Sequence, residues 1–413
     1  MEYAVVWHPE STNLGDDLRT LAAARLLPRV DRVLDARSLD QPLPDLPEGE
    51  RVAALLSGAT LFDLSHWPPE ARIVPVFAGL HLSAQDAWGV PFTALDGAGL
   101  KCLAAHTPVS CRDTRTAELL TGAGVAHVVS GCVTLTLARP EGVSAGDYLC
   151  CVDVPDAVTE ALRGLTGADR VRVATHQREG DERDYARRMA AAEALLRLYA
   201  GARLVVTKRL HCAMACLAIG TPVILLYNSA YEDVRRFAPM DAMVRACAEE
   251  DFLRELRLNS LPQPPVPTDV APWQDKLRRA VASGLTWAET ARLPLVSPEE
   301  ARRWRVARLE RMASAAARKI RTLEEAQYRE LHGKLGLVMR EEAVKAALEP
   351  LLAEPEVVRA LTRVGRRRAL AGLPWYRRAL AMCSFRREKD ASSDLAEEAR
   401  RQLAGLGWPE KKE

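Results

Sequence analysis

Lys208, Arg209 and His211 stand between two apolar runs, the β-branched residues 203–207 and the Ala-rich residues 212–219. Two cations and a titratable imidazole in so short a space can grip an anion, and charge-assisted contacts of this kind suit a phosphate or a carboxylate. The first run reads as a strand buried on both faces of a parallel sheet. The second, apolar nearly all round, reads as a packed helix. Gly220-Thr221-Pro222 closes that helix and residues 223–227 form the next buried strand. The charged residues then lie at the carboxyl end of a strand and the N-terminus of a helix. Ligands bind at such strand ends in open α/β sheets, and helix N-termini favour anions.

Three further groups occupy comparable places. His176 follows a strand expected over residues 171–174, so its ring shares a sheet edge with Arg209 and His211. Ser110-Cys111-Arg112-Asp113 joins a strand (108–111) to a helix (114–121). There Asp113 is an N-cap, and Arg112 is either a solvated charge or a carboxylate clamp. Asn13-Leu14-Gly15-Asp16 joins the first strand (3–7) to a helix expected over 18–27. It reads either as a turn at Asn13, a tight backbone position at Gly15 and a helix cap at Asp16, or as one wall of a cleft. The loop has neither a GxGxxG pattern nor the Lys-Ser/Thr of a P-loop, so no dinucleotide or P-loop site is expected.

These residues are positioned by alternating strands and helices. Apolar runs at 52–57, 73–77, 127–130 and 148–152 add strands; 99–105, 157–165 and a long amphipathic stretch ending near Tyr199 add helices. Alternation of this kind predicts a doubly wound α/β fold with parallel sheets. The expected domains are residues 1–145, residues 146–290 and, after a Pro-rich linker at 262–272, an all-α extension over 297–413. The extension opens on Ser297-Pro298-Glu299-Glu300, a good helix start. Further helices are expected at 341–352, 355–370 and 395–403. Residues 363–387 are strongly basic around Trp375 and Tyr376. That stretch is a solvated face or a surface for anionic lipid or an acidic partner.

The 413 residues suffice for two or three cores. A net charge of +2 argues against a nucleic-acid partner on bulk charge. No apolar run approaches the ~20 residues of a membrane span, and the N-terminus has no signal-peptide pattern. The nine cysteines show no metal-ligand spacing. A reduced cytoplasmic protein with no bound metal is expected, peripheral to the inner membrane face if the basic stretch binds lipid.

In order and spacing, Asn13-Leu14-Gly15-Asp16, Ser110-Cys111-Arg112-Asp113, Cys132-Val133-Thr134-Leu135-Thr136-Leu137, Thr175-His176, Arg209-Leu210-His211 and the 235–237 segment resemble the polysaccharide pyruvyl transferase family. The resemblance spans roughly residues 3 to 285. It implies two Rossmann-like domains facing across a cleft, as in the GT-B arrangement. It also implies transfer of pyruvate from phosphoenolpyruvate to a sugar diol as a ketal, in synthesis of a cell-surface glycan or exopolysaccharide, with a free or lipid-linked sugar as acceptor. No cofactor beyond the donor is implied. By the resemblance, Arg209 and His211 hold the phosphate and Arg112 the carboxylate. Lys208, Asn13, Gly15, Asp113 and Arg235 complete the substrate site. His211 is the candidate acid, poised by an imidazole's ordinary pKa near neutrality; His176 or Asp16 is the base. Lys208 departs from the family, which more often has a small or acidic residue there. So do Ser57-Gly58-Ala59 and Ala78-Gly79-Leu80-His81, in place of glycine-rich segments. The alternatives are a GT-B-type glycosyltransferase using a nucleotide sugar, against which the lack of an acidic ribose partner speaks, and a non-catalytic scaffold.

Overall fold

The structure, a computed structural model, describes residues 1–59, 61, 66–82, 95–178, 182–227, 237–258, 265–266 and 268–330. Arg235, the basic stretch 363–387 and the helices expected after residue 331 lie outside the described residues.

The first apolar run forms β1 (Glu2–Trp7), which leads through α1 (Leu14–Leu26) to β2 (Arg32–Asp35). Then come β3 (Val52–Gly58) and β4 (Ile73–Leu80), both buried along their whole length, as strands covered on two faces must be. Helix α2 (Gly97–Ala104), β5 (Val109–Cys111), α3 (Thr114–Gly122) and β6 (His127–Val129) complete a six-stranded sheet in the order β2-β1-β3-β4-β5-β6. The second half runs β7 (Leu149–Val152), α4 (Asp156–Thr166), β8 (Val171–Ala174), α5 (Tyr185–Ala200), β9 (Leu204–Thr207), α6 (Leu210–Ala218), β10 (Val223–Tyr227), β11 (Arg245–Ala248) and α7 (Glu249–Arg257). Its five strands take the order β11-β10-β9-β7-β8. Every strand pair in both sheets is parallel, as expected. In each half the first strand lies between the second and the third, which sets a topological switch point at β1/β3 and at β7/β9.

Three elements escaped the sequence. Strand β2 is half-exposed and carries Arg32 and Asp35, so it has no apolar run; β11 is likewise half-buried. Helix α7 has only Phe252 and Leu256 as a buried stripe among charges. Helix α8 (Ala271–Thr290) runs straight through Gly284. A Cβ there would come within 2.5 Å of Val76 Cγ1 and 2.8 Å of His106 Nε2, so the bare glycine lets the helix lie directly on β4. Helix α9 (Pro298–Glu330) starts as expected, with the Ser297 hydroxyl accepting from the Glu300 amide at 3.2 Å.

Both sheets lie in one compact unit, Met1–Ala84 with Phe92–Ala301. What joins them is a packed layer of helices. Leu18, Leu21 and Ala22 of α1 share one hydrophobic cluster with Ala192 and Leu196 of α5, Ala213 and Cys216 of α6, and Val133 and Leu135 of a short 3-10 turn, Val133–Thr136. Helices α4 and α7 cover the other face of the second sheet, where Val158, Leu162, Phe252 and Leu256 meet Cys151, Val206 and Ile224.

Candidate active site

The two switch points meet at the first turns of α1 and α6. Asn13 is the N-cap of α1, its side chain accepting from the Gly15 amide at 3.0 Å. The capping expected of Asp16 therefore belongs to Asn13, three residues earlier, and the helix begins at Leu14. Asp16 is instead a first-turn residue. Its carboxylate accepts the Ser11 hydroxyl at 2.6 Å, lies 3.5 Å from Arg19 Nη2 and is 3.9 Å from His211 Nε2. Burial pushes this carboxyl up, but Arg19, His211 and Ser11 together outweigh it and hold the group below the usual carboxylate range. Gly15 is required by its neighbours. A Cβ at that position would meet His176 Nδ1 at 2.8 Å and His211 Cδ2 at 3.2 Å.

His211 sits in the first turn of α6, bridging the halves. Cys132 Sγ is 3.4 Å from its Nδ1, and the thiol in turn accepts from the Thr134 hydroxyl at 3.1 Å. With Asp16 facing Nε2, a ring protonated at Nε2 accepts the thiol hydrogen at Nδ1. Burial drives the imidazole far below its ordinary value; Asp16 opposes this, while Arg112 and Arg19 reinforce it. The expected near-neutral pKa is thus not found: burial leaves His211 neutral at pH 7.

Asp153 organises the second switch point. It adopts a left-handed backbone (φ 52°), which Asp tolerates better than most residues. Its carboxylate accepts the Thr175 hydroxyl at 2.6 Å, the His176 amide at 2.8 Å and Arg209 Nε at 2.7 Å. These three bonds outweigh its burial and keep its pKa low. His176 is enclosed: 1% exposed, with Nε2 at 2.7 Å from the Tyr199 hydroxyl and Nδ1 buried without a hydrogen-bond partner. The ring underlies the site as a floor beneath Gly15. Lys208 pairs with Glu249, the first residue of α7, which commits it to the packing of the second sheet.

Arg112 is neither a solvated charge nor loosely placed. It is 6% exposed, and its Nε donates to Asp113 Oδ2 at 2.9 Å. Asp113 caps α3 as expected, its Oδ1 accepting from the Thr116 amide at 2.9 Å and the Thr116 hydroxyl at 2.8 Å. Its Oδ2 also meets His81 Nδ1 at 2.6 Å. Arg112 and Arg209 are therefore mounted alike. Each is gripped through Nε by an Asp at the end of a strand, and the Nη edge of each has no partner among the described residues.

The fold thus brings together Asn13, Gly15, Asp16, Arg112, Asp113, His176, Arg209 and His211, with Lys208 directed to its own pair. Sequence reading missed Arg19, Cys132, Asp153 and His81 as members. Asp153 was accessible to it, being the first polar residue after the strand at a switch point. Arg19 was not. It looks like a surface helix residue, yet it is 1% exposed and lies over Gly58, where a Cβ would come within 2.6 Å of its Cδ. Among the described residues no cluster of three or more His, Cys, Asp or Glu could hold a metal, and no helix is long and apolar enough to cross a membrane.

Residues 98–230 match the model of the polysaccharide pyruvyl transferase family, which bears out the resemblance over that stretch. It contains Arg112, Asp113, Cys132, His176, Arg209 and His211; the Asn13–Asp16 turn falls outside it. No curated protein matches the chain. Among solved structures, an uncharacterized protein from Klebsiella pneumoniae is 11% identical, covers 60% of this chain and 92% of its own, and has a TM-score of 0.35. The E. coli heptosyltransferase WaaC with ADP is 16% identical, covers 68% and 99%, and has a TM-score of 0.26. At these scores neither likeness adds to the fold or function of this chain.

Proposed function

We propose that this protein transfers pyruvate from phosphoenolpyruvate to a pair of sugar hydroxyls as a ketal, in the synthesis of a surface glycan, the two halves bracketing the donor between their strand ends. The family match supports a transferase of this kind. The observation that carries the reading is the matched mounting of Arg112, whose charge acts on the imidazole of His211, and of Arg209, two residues before that histidine at the start of α6. Phosphoenolpyruvate has two anionic ends, and two pre-oriented guanidinium edges suit a phosphate and a carboxylate. The first-turn amides of α6, which no intrahelical carbonyl can satisfy, add donors for the phosphate.

The resting neutrality of His211 fits this chemistry. A multiply charged anion beside the ring favours its charged form. Donor binding then brings a proton onto His211, which is the proton the methylene carbon must receive. Calorimetry in two buffers of different ionisation enthalpy would show proton uptake on binding; buffer-independent heats would count against His211 as the acid. Cytoplasmic location, a lipid-linked or free acceptor and contact with a membrane surface through the basic C-terminal stretch complete the proposal.

Thermal shift with phosphoenolpyruvate, set against nucleoside diphosphates, tests the donor. Saturation near 100 times Kd stabilises the chain by about 2.7 kcal/mol. Arg209→Ala and Arg112→Ala each remove a charge-assisted anchor of about 1.5–3 kcal/mol, a loss of roughly 10- to 150-fold in donor affinity. A shift with a nucleoside diphosphate and none with phosphoenolpyruvate would move the protein to nucleotide-sugar chemistry.

A further inference from the structure

A sugar acceptor needs a seat of its own beside the donor anchors, and the second half has a cavity in such a place. About 390 Å³ of space lies between the first two turns of α4 and the carboxyl ends of β7 and β8, within the range of small-ligand sites. Asp153 and Thr175 line it and also belong to the second switch point. Asp153 Oδ1 accepts the Thr175 hydroxyl at 2.6 Å, and Oδ2 accepts Arg209 Nε at 2.7 Å. One side chain therefore separates the cavity from the Arg209 anchor.

The lining combines three kinds of surface. Val154 and Val173 are aliphatic walls, and Val173, on the edge strand β8, is 59% exposed. Asp156 and Glu160 are acceptors one turn apart on the same face of α4. Asp156 has no hydrogen-bond or ionic partner among the described residues. Glu160 pairs with Arg163 at 2.7 Å, a solvent-facing contact within one helix that rearranges at little cost. The donors are Arg163, whose Nε is buried without a partner, and the Asp156 amide, which opens α4 where no intrahelical carbonyl reaches it.

Such a lining suits a molecule whose hydroxyls both donate and accept and whose C–H face is apolar, which describes a sugar ring. A phosphate fits poorly, because Asp153, Asp156 and Glu160 outnumber the one guanidinium. A nucleobase would find no aromatic ring to stack on among the described lining residues. A metal ion is equally ill served, since no group of three or more His, Cys, Asp or Glu among the described residues could hold one.

Resting on the pyruvyl-transfer reading, we propose that this cavity is an acceptor subsite, holding a neutral sugar unit of the glycan next to the unit that is ketalised. Asp156 and Glu160 accept its hydroxyl hydrogens, Arg163 and the Asp156 amide donate to its oxygens, and its C–H face lies on Val173. Asp153, already bonded to Thr175 and Arg209, is the partition between the two sites rather than a contact for the sugar. The acceptor is thereby a chain of two or more units, and a single sugar leaves the cavity unfilled.

The test is saturation-transfer NMR on the full chain, without donor, using p-nitrophenyl glycosides of one to three sugar units. Wild type should bind the longer glycosides more tightly than the single sugars. Asp156→Ala should weaken that binding roughly 10-fold or more, and Asp156→Ala with Glu160→Ala should abolish the advantage of length. Both variants should keep the wild-type melting temperature and the wild-type thermal shift with phosphoenolpyruvate, since neither side chain holds the core or Arg209. No saturation transfer to any glycoside, no gain with length, or equal binding by wild type and the double variant each overturns the subsite. Intact glycoside binding with no stabilisation by phosphoenolpyruvate keeps the subsite and overturns the pyruvyl-transfer reading instead.

Discussion

Asp16 and Asp17 are neighbours in the first turn of α1, and their surroundings differ completely. Asp17 is wholly buried against Arg188 of α5, whose Nε and Nη2 meet its carboxylate at 2.8–3.0 Å, while Trp7 Nε1 donates at 3.2 Å. Arg188 also donates to the Pro9 carbonyl at 2.6 Å. Asp16 keeps longer, looser contacts with Arg19 and His211 and is about a quarter exposed. One carboxylate is spent on joining the halves. The other is part of a charged group held by longer contacts, with room to adjust. The lesson is that position in a helix turn says little about role; what lies across the interface decides it.

Breaking the buried member should cost most. Asp17→Ala strands the Arg188 charge and should destabilise the fold by about 3–5 kcal/mol in urea unfolding. A loss no larger than that of a surface change would mean that the two aspartates are not as different as their contacts suggest.

Acid should act through histidines on the Asp16 side. Burial, followed by Arg19, pushes His8 down to about 3, and burial lowers His211 as well. Both rings have folded pKa values below the unfolded value near 6.5. The unfolded chain therefore binds protons first, and stability is full above that pH. It falls as pH drops from about 6.5 towards 3, at about 1.4 kcal/mol per pH unit for each ring. Thermal unfolding at successive pH values checks this, and a flat profile between pH 6.5 and 4.5 would contradict the burial of both rings.

Gly15→Ala is a smaller change with a telling sign. In an ordinary helix the substitution stabilises by up to about 1 kcal/mol. Here the added carbon meets His176 and His211, so the expected outcome is a lower melting temperature and weaker donor binding. Least of all, Glu193→Ala removes the exposed pair with Arg25 on the outer faces of α5 and α1 and should shift stability by at most about 1 kcal/mol.

Much of this was legible in the sequence. The β-branched runs of β1, β3, β9 and β10 gave the parallel sheets, because a strand buried on both faces leaves little compositional ambiguity. Edge strands β2 and β11 were lost for the opposite reason. Arg112, Arg209 and His211 stood out because charge following an apolar strand has few structural excuses. The Asp partners that aim the two arginines were read as caps or passed over, since a contact between residues 153 and 209 exists only once the sheet is folded. Nothing local marked the burial of His211 that silences its charge.

The helical layer between the sheets has a consequence for how the molecule can be taken apart. Leu18 and Ala22 on one side and Ala213 and Cys216 on the other cover each other, so a polypeptide cut near residue 145 would leave each fragment with an uncovered oily flank. Such fragments should be insoluble when made singly and soluble when made together. A free swing of one half about a hinge would have to tear that seam, whereas sliding of the packed helices would keep it covered.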